Sequence, residues 1–136
     1  MADYGENAVV NDPLFAKPLV GKPAIMVHKN AEMIALTDVE MNVTDRWMMG
    51  NDLIATWEVT GLHSGAYYDL PATNNRIFLT GATVVTRDKD GLIAQETLYY
   101  DAADMYRQLT GQPPTESADA ESADAESAPA SDSSSD

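Results

Sequence analysis

Apolar and polar residues alternate along most of the chain between residues 39 and 100, and this alternation limits the folds open to it. The first alternating stretch has one apolar face, formed by Val39, Met41, Val43 and Trp47. Further stretches of the same kind cover residues 53–59, 76–87 and 92–100. A period of two is typical of β-strands that bury one face. The pattern therefore predicts a sheet built from these stretches.

Turn signals separate the predicted strands. The run Asp88-Lys89-Asp90-Gly91 predicts a hairpin, because glycine readily adopts the left-handed conformation that its last position requires. A second turn is predicted at residues 49–52. Gly81 interrupts the third stretch, where we expect a bulge or a bend. Strands joined by such short turns are neighbours in an antiparallel sheet.

Two helices are predicted beside the strands. Residues Ala24–Leu36 repeat apolar side chains near helical spacing, and Pro23 suits a first helical turn, where its missing N–H is not needed. Asp101 is expected to start a short helix that ends at Leu109, with Gly111 as its stop. The expected fold is α+β, with a strongly curved, cone-shaped antiparallel sheet packed on helices. The open end of such a cone is a natural small-molecule site.

The composition changes near residue 113. The pentapeptide Glu116-Ser-Ala-Asp-Ala120 recurs at residues 121–125 and, imperfectly, at residues 126–130. This segment has acidic side chains but no basic one and no large apolar one, so it cannot offset the entropy lost on ordering. We predict one folded domain over residues 1–112 and a disordered acidic tail over residues 113–136.

The chain is strongly acidic, with a formal net charge of −14. Such a chain repels phosphate backbones and anionic lipid, so nucleic acid and membrane surfaces are poor partners. The acidic excess resembles that of proteins from salt-loving organisms, whose dense carboxylates keep the surface hydrated; ordinary acidic solubility is the alternative. Residues 1–7 lack the basic start and apolar centre of a secretory signal. A cytoplasmic location is therefore expected.

Two sequence patterns in the first part of the chain resemble those of a known family. Asn11-Asp12-Pro13, together with residues 18–25, looks like a loop that leads into a helix. Farther on, Gly61-Leu62-His63-Ser64-Gly65 forms a Gly-x-His-x-Gly turn pattern. It is followed by a Leu-Pro-x-Thr loop at residues 70–73.

A third pattern completes the resemblance. Residues 90–93, Tyr99-Tyr100-Asp101 and Gln108-Leu109 match a final strand and helix in order and spacing. Over residues 8–111 the chain resembles the SnoaL-like polyketide cyclases of the nuclear transport factor 2-like superfamily. Members usually begin with a helix across the mouth of the cone, and no such helix is predicted here. The apolar surface left uncovered predicts a homodimer.

The resemblance implies a pocket for a small hydrophobic or aromatic molecule. In characterised cyclases of the family an aspartate drives a cofactor-free intramolecular aldol closure, and a related isomerisation is also expected. A non-enzymatic module for ligand binding or dimerisation is the alternative, because a fold does not fix a function. Hydrolysis of an epoxide, which related folds perform, is a third option. The substrate is not identified by the sequence.

Asp101 is the first candidate catalytic residue. The resemblance implies that it acts as acid and base, since a carboxylate can remove a proton that lies between two carbonyl groups. Asp101 also stands where a helix N-cap is expected, with Asp104 three residues later. One aspartate can carry out the capping alone, so both interpretations stay open.

His63 is the second candidate. A neutral imidazole can donate to a carbonyl or enolate oxygen and stabilise its developing charge, whereas a turn histidine bonded to a backbone carbonyl is the alternative. His28, on the predicted helix, is interpreted as a core or rim residue. The two histidines are far apart and lack a His-x-x-x-His spacing, so no metal site and no cofactor are predicted.

Aromatic side chains are expected to form the walls of the substrate pocket. Trp57, Tyr67 and Tyr99 are the candidates, although such residues also form the core of a sheet. With a period of two, Tyr99 shares a face with Asp101 while Tyr100 takes the other. If Asp101 faces the pocket, Tyr99 should face it as well.

Overall fold

The computed structural model describes residues 3–111, so the predicted acidic tail lies outside the described residues. The elements are β1 (Tyr4–Asn11), β2 (Leu19–Val20), α1 (Lys22–Ala35), β3 (Leu36–Met49), β4 (Asp52–His63), β5 (Arg76–Arg87), β6 (Ile93–Tyr99) and α2 (Ala102–Thr110). The alternating stretches of the sequence correspond to β3–β6. No helix within residues 3–111 is long and apolar enough to span a membrane.

The strands form one sheet in the order β2-β1-β6-β5-β4-β3. The pairs from β3 to β6 are antiparallel, which confirms the predicted α+β fold. β1 lies parallel to β6 and was not predicted as a strand. Its register shifts between Tyr4 and Val9, so the alternation that marks the other strands is interrupted there.

Irregular pairing accounts for the curvature of the sheet. The register of β3 against β4 shifts between Thr37 and Glu40 and again between Val43 and Asp45. Such bulges bend a strand and increase its twist.

No bulge occurs at Gly81, because β5 pairs with β4 without a register shift and Gly81 lies opposite Trp57. A Cβ atom at Gly81 would lie 2.6 Å from two atoms of the Trp57 ring. The glycine is therefore needed for the close approach of the indole.

The core consists of two clusters on the side of the sheet that faces the helices. In the first cluster, residues of β1 and β6 pack on α1, and its buried members are Tyr4, Ala8, Val10, Ile25 and Ile93. In the second, β4 and β5 pack on α2, and the buried members are Trp57, Ile77, Leu79, Met105 and Leu109. Helix α1 thus covers β1 and β6, and α2 covers β4 and β5, with a narrow space between the two helices.

The local signals at turns and helix ends behave as predicted. Gly91 has a φ of 80°, and the Asp88 carbonyl accepts a hydrogen bond from the Gly91 N–H. Pro23 lies in the first turn of α1. At the end of α2, Gly111 takes the left-handed conformation with a φ of 73°. These positions depend on neighbouring residues alone, which is why the sequence predicts them.

Candidate functional site

Three ionisable side chains meet where β1 ends and α1 passes over the sheet. Asp12 follows β1 directly, while His28 and Glu32 lie one turn apart on α1. One ligand-type atom from each of the three side chains lies within 4.8 Å of the other two. We call this group the Asp12–His28–Glu32 cluster.

His28 is the centre of the cluster. Its Nε2 atom lies 3.5 Å from Asp12 Oδ2 and 3.3 Å from Glu32 Oε2, and its Nδ1 atom lies 2.7 Å from the Tyr68 hydroxyl oxygen. The side chains of His28 and Asp12 are only 5% and 3% exposed, whereas that of Glu32 is 41% exposed. Glu32 is therefore the member that a molecule from solvent can reach.

Asp12 is held by hydrogen bonds from two sides. Its Oδ1 atom accepts from the Tyr100 hydroxyl at 2.6 Å and from the Leu14 N–H at 2.8 Å. Burial by itself raises the pKa of Asp12, but His28 and these two donors outweigh it and lower the pKa below its usual value. Asp12 is accordingly a charged, fixed group.

The pKa of His28 is likewise set by burial and by its charged and polar neighbours, which act in opposite directions. Burial by itself lowers it, but Asp12, Glu32 and the Tyr68 hydroxyl stabilise the protonated ring and raise the pKa to about 10. At neutral pH the ring is therefore an imidazolium between two carboxylates.

Aromatic side chains enclose the His28 ring. Phe15 meets it edge-on with ring centroids 4.8 Å apart, and Tyr68 lies parallel to it at 6.1 Å. Tyr68 has a φ of 53°, a left-handed conformation that is rare for a bulky residue. The chain thus holds a strained backbone at the residue whose hydroxyl contacts His28.

A narrow cavity of about 20 Å³, room for about one water molecule, lies beside the cluster. Its walls come from both helices and the sheet: Glu32, Ala35, Leu36, Tyr67, Ile77, Met105 and Leu109. Glu32 is the one charged residue among them. A wider, open groove of about 300 Å³ runs between the loop at residues 12–18 and β6. Asp12 and Phe15 separate this groove from His28.

Residues 3–109 match the SnoaL-like polyketide cyclase family. The chain belongs to that family. No curated protein matches it.

Solved structures share the fold of this SnoaL-like protein. A protein assigned to the SnoaL-like polyketide cyclases from Jannaschia sp. CCS1 is 13% identical with a TM-score of 0.73, over 82% of this chain and 76% of that one. A second, from Shewanella denitrificans OS-217, is 16% identical with a TM-score of 0.68, over 80% and 81%. A ketosteroid isomerase-like protein from Catenulispora acidiphila, solved with trimethylamine, is 16% identical with a TM-score of 0.65, over 81% and 78%.

The two predicted catalytic residues lie apart from the cluster. Asp101 is exposed and caps α2, because its Oδ1 atom accepts from the Asp104 N–H at 2.9 Å. His63 is 0% exposed, and its Nδ1 atom lies 2.9 Å from Thr73 Oγ1. Thr73 donates its own hydrogen to the Leu109 carbonyl, so it accepts from His63, and Nδ1 carries the ring proton.

The predicted aromatic residues are distributed over three environments. Trp57 is buried in the second core cluster, with its indole N–H donating to Thr83. Tyr67 lines the narrow cavity. Tyr99 is 58% exposed and lines the open groove, and its neighbour Tyr100 is the tyrosine that contacts Asp12.

Sequence reasoning missed the cluster although two signals for it were present. Asp12 belongs to the Asn11-Asp12-Pro13 loop motif, which by itself indicates no chemical role. His28 and Glu32 have a His-x-x-x-Glu spacing, which places both side chains on one helix face. Tyr68 and Tyr100 could not have been assigned, since only the folded chain brings them to His28 and Asp12.

Proposed function

We propose that this SnoaL-like protein binds a small hydrophobic or aromatic carbonyl compound at the mouth of the narrow cavity and catalyses proton transfer next to a carbonyl group. The observation that carries the proposal is the position of Glu32. Its carboxylate is the one charged group in an otherwise apolar cavity wall, and it contacts a histidine fixed by Asp12. The Catenulispora protein solved with trimethylamine supports small-molecule binding by this fold.

The proposed reaction is an intramolecular aldol closure or an isomerisation. Glu32 removes a proton from the carbon between two carbonyl groups, and the resulting enolate carbon attacks another carbonyl carbon of the same molecule. The proton then returns from Glu32 to the new alkoxide oxygen, or to a different carbon in an isomerisation. Closing the cavity mouth with substrate excludes water and strengthens the electrostatic interactions inside it. The substrate outside the narrow cavity would lie against Tyr67 and Tyr68.

Asp101 is the second candidate base. The family resemblance favours it, and its exposed carboxylate is accessible to a molecule from solvent. Its contact with the Asp104 N–H also gives it a structural task, as the N-cap of α2. The roles of Glu32 and Asp101 can be tested separately, because glutamine or asparagine keeps the shape of the respective side chain but cannot act as a base.

We expect Glu32→Gln to lower turnover by roughly 10²–10⁴-fold, the usual contribution of a general base. A panel of aromatic β-keto compounds would supply the substrate, and turnover would be followed by product formation. Asp101→Asn should keep both activity and stability, since asparagine caps about as well as aspartate, and Asp101→Ala should cost about 0.5–2 kcal/mol in unfolding free energy.

Glu40→Gln, on the exposed face of β3, is the matched control and should not affect turnover. Loss of activity in folded Asp101→Asn with full activity in Glu32→Gln would assign the base to Asp101. Ligand binding without turnover in the wild type would favour the non-enzymatic alternative.

We also propose that the protein is a homodimer. The strand β3 carries exposed apolar side chains on both faces of the sheet, because the bulge between Val43 and Asp45 changes the alternation: Val39, Met41, Val43, Trp47, Met48 and Met49. Exposed apolar patches of this extent are typical of interaction surfaces. We expect a stable dimer in sedimentation experiments, and we expect Met41→Glu to shift it towards monomer. Val20→Glu adds the same charge to an exposed apolar site on β2 and should leave the dimer intact; a monomeric wild type would refute the proposal.

A further inference from the structure

The Asp12–His28–Glu32 cluster contains more ionisable groups than a single general base requires. Its groups are one imidazole and two carboxylates, and the side chain of Asp12 is at least as buried as the ring. We propose that Asp12, His28 and Glu32 form a binding site for a divalent first-row transition-metal ion such as Zn²⁺ or Co²⁺. The proposal uses residues of the proposed catalytic site but does not depend on it, because metal binding is measured without substrate.

The spacing of the candidate ligand atoms fits a metal ion. Tetrahedral ligands at metal distances of about 2.0–2.2 Å lie about 3.3–3.6 Å from one another. His28 Nε2 lies 3.3 Å from Glu32 Oε2 and 3.5 Å from Asp12 Oδ2. Imidazole and carboxylate are ligands that suit zinc, cobalt and manganese. The Asp12 and Glu32 carboxylates lie within 4.8 Å of each other, so an ion can be placed between the three groups once these two carboxylates move together.

The surroundings of the Nε2 atom of His28 independently indicate a metal site. It is buried and has no aligned hydrogen bond within the part of the chain that the structure describes, although it faces two carboxylates. A buried polar atom without a hydrogen bond calls for a specific explanation. The other ring nitrogen, Nδ1, is held by the Tyr68 hydroxyl. Metal-binding histidines have this arrangement, with one nitrogen on the ion and the second bonded to a neighbour that fixes the ring.

The two carboxylate oxygens of Asp12 also have different partners. Oδ1 accepts from the Tyr100 hydroxyl and the Leu14 N–H, while Oδ2 faces His28. Hydrogen bonds of this kind orient a carboxylate ligand and are part of most metal sites. Two protein groups are thus positioned by their surroundings, and the partly exposed Glu32 gives an ion a route from solvent.

Charge balance also favours a dication. Two carboxylates, a neutral imidazole and a divalent ion sum to zero charge in a largely buried site. The three protein ligands would leave at least one coordination position for water or for a ligand oxygen, as in catalytic metal sites.

The test is direct titration of the chelator-treated, full-length chain with Co²⁺ at mildly alkaline pH, followed by visible absorption, and with Zn²⁺, followed by calorimetry. We expect one ion per chain with a Co²⁺ spectrum that includes nitrogen ligation. Glu32→Gln changes a partly exposed residue, so the fold should persist, and it should weaken binding at least about 100-fold. Tyr68→Phe removes a hydrogen bond to the ligand histidine and should weaken binding about 10–100-fold.

Glu40→Gln is again the matched control, because it removes one carboxylate from the acidic surface without touching the cluster; its affinity should equal that of the wild type. Equal binding by wild type and Glu32→Gln would mean that the ion sits on surface carboxylates, and the proposal would be wrong. Absence of binding by folded wild type would also overturn it. The turnover assay is run on the chelator-treated chain, in which Glu32 is free to act as the base, so the two proposals fail separately.

Discussion

Gly65→Ala should remove a large part of the free energy of unfolding of the domain and lower its urea midpoint. A Cβ atom at Gly65 would lie far inside van der Waals contact of the Ile34 carbonyl oxygen and 3.0 Å from the Ile34 carbonyl carbon. Both atoms belong to the backbone, so no side-chain rotation relieves the overlap. We expect a loss of more than about 4 kcal/mol, a large part of the total stability of a domain of this size.

Urea unfolding followed by circular dichroism would measure this loss. Gly5→Ala is the matched control, since its Cβ would lie 3.5 Å from its nearest neighbours, the Asp88 carboxylate and the Ile93 carbonyl, which is an ordinary contact. An unchanged midpoint for Gly65→Ala would show that the loop after β4 does not pack on the end of α1. The same loop carries Tyr68, so its position also determines the contact with His28.

Asp12→Ala should have the second-largest effect, a loss of about 3–5 kcal/mol, because it breaks a buried ion pair and leaves the other member without its counter-charge. The substitution removes the carboxylate beside His28 and also leaves the Tyr100 hydroxyl and the Leu14 N–H without their acceptor. Asp12→Asn keeps an acceptor oxygen and should cost less.

Chemical denaturation of both variants tests this prediction. The control is Asp3→Ala, which breaks an exposed ion pair with Lys22 and should have little effect on stability, because solvent screens that pair. A loss in Asp12→Ala no larger than that of the control would show that the cluster contributes nothing to stability. The comparison is independent of any ligand or metal, because it is made on the chelator-treated chain.

The strands and turns of the second half of the domain were predictable because their signals are local. The alternation in β3–β6, the glycine in the hairpin at Gly91 and the cap at Asp101 each act within a few residues. Local backbone preferences and one-sided burial suffice to specify them. The same reasoning failed for Gly81, where the glycine makes room for Trp57, a neighbour across the sheet.

The candidate site could be predicted only in part, because its residues are distant in sequence. Asp12 and Tyr100 are 88 positions apart, and His28 and Tyr68 are 40 apart. The sequence drew attention to Asp101 and His63 through motifs, and the folded chain places one at a helix end and the other inside the domain. Their chemical roles stay predictions, which the variants above test.

By itself, the sequence determined the fold class, the order of the strands from β3 to β6, the ends of the helices and the family. These follow from periodicity, turn geometry and motifs, all of which involve residues that are close together in the sequence. The parallel pairing of β1 with β6 and the position of His28 between Asp12 and Glu32 depend on contacts between distant parts of the folded chain. Packing the first strand beside the last closes a long loop of chain, and no local pattern specifies which side chains meet when that loop is closed.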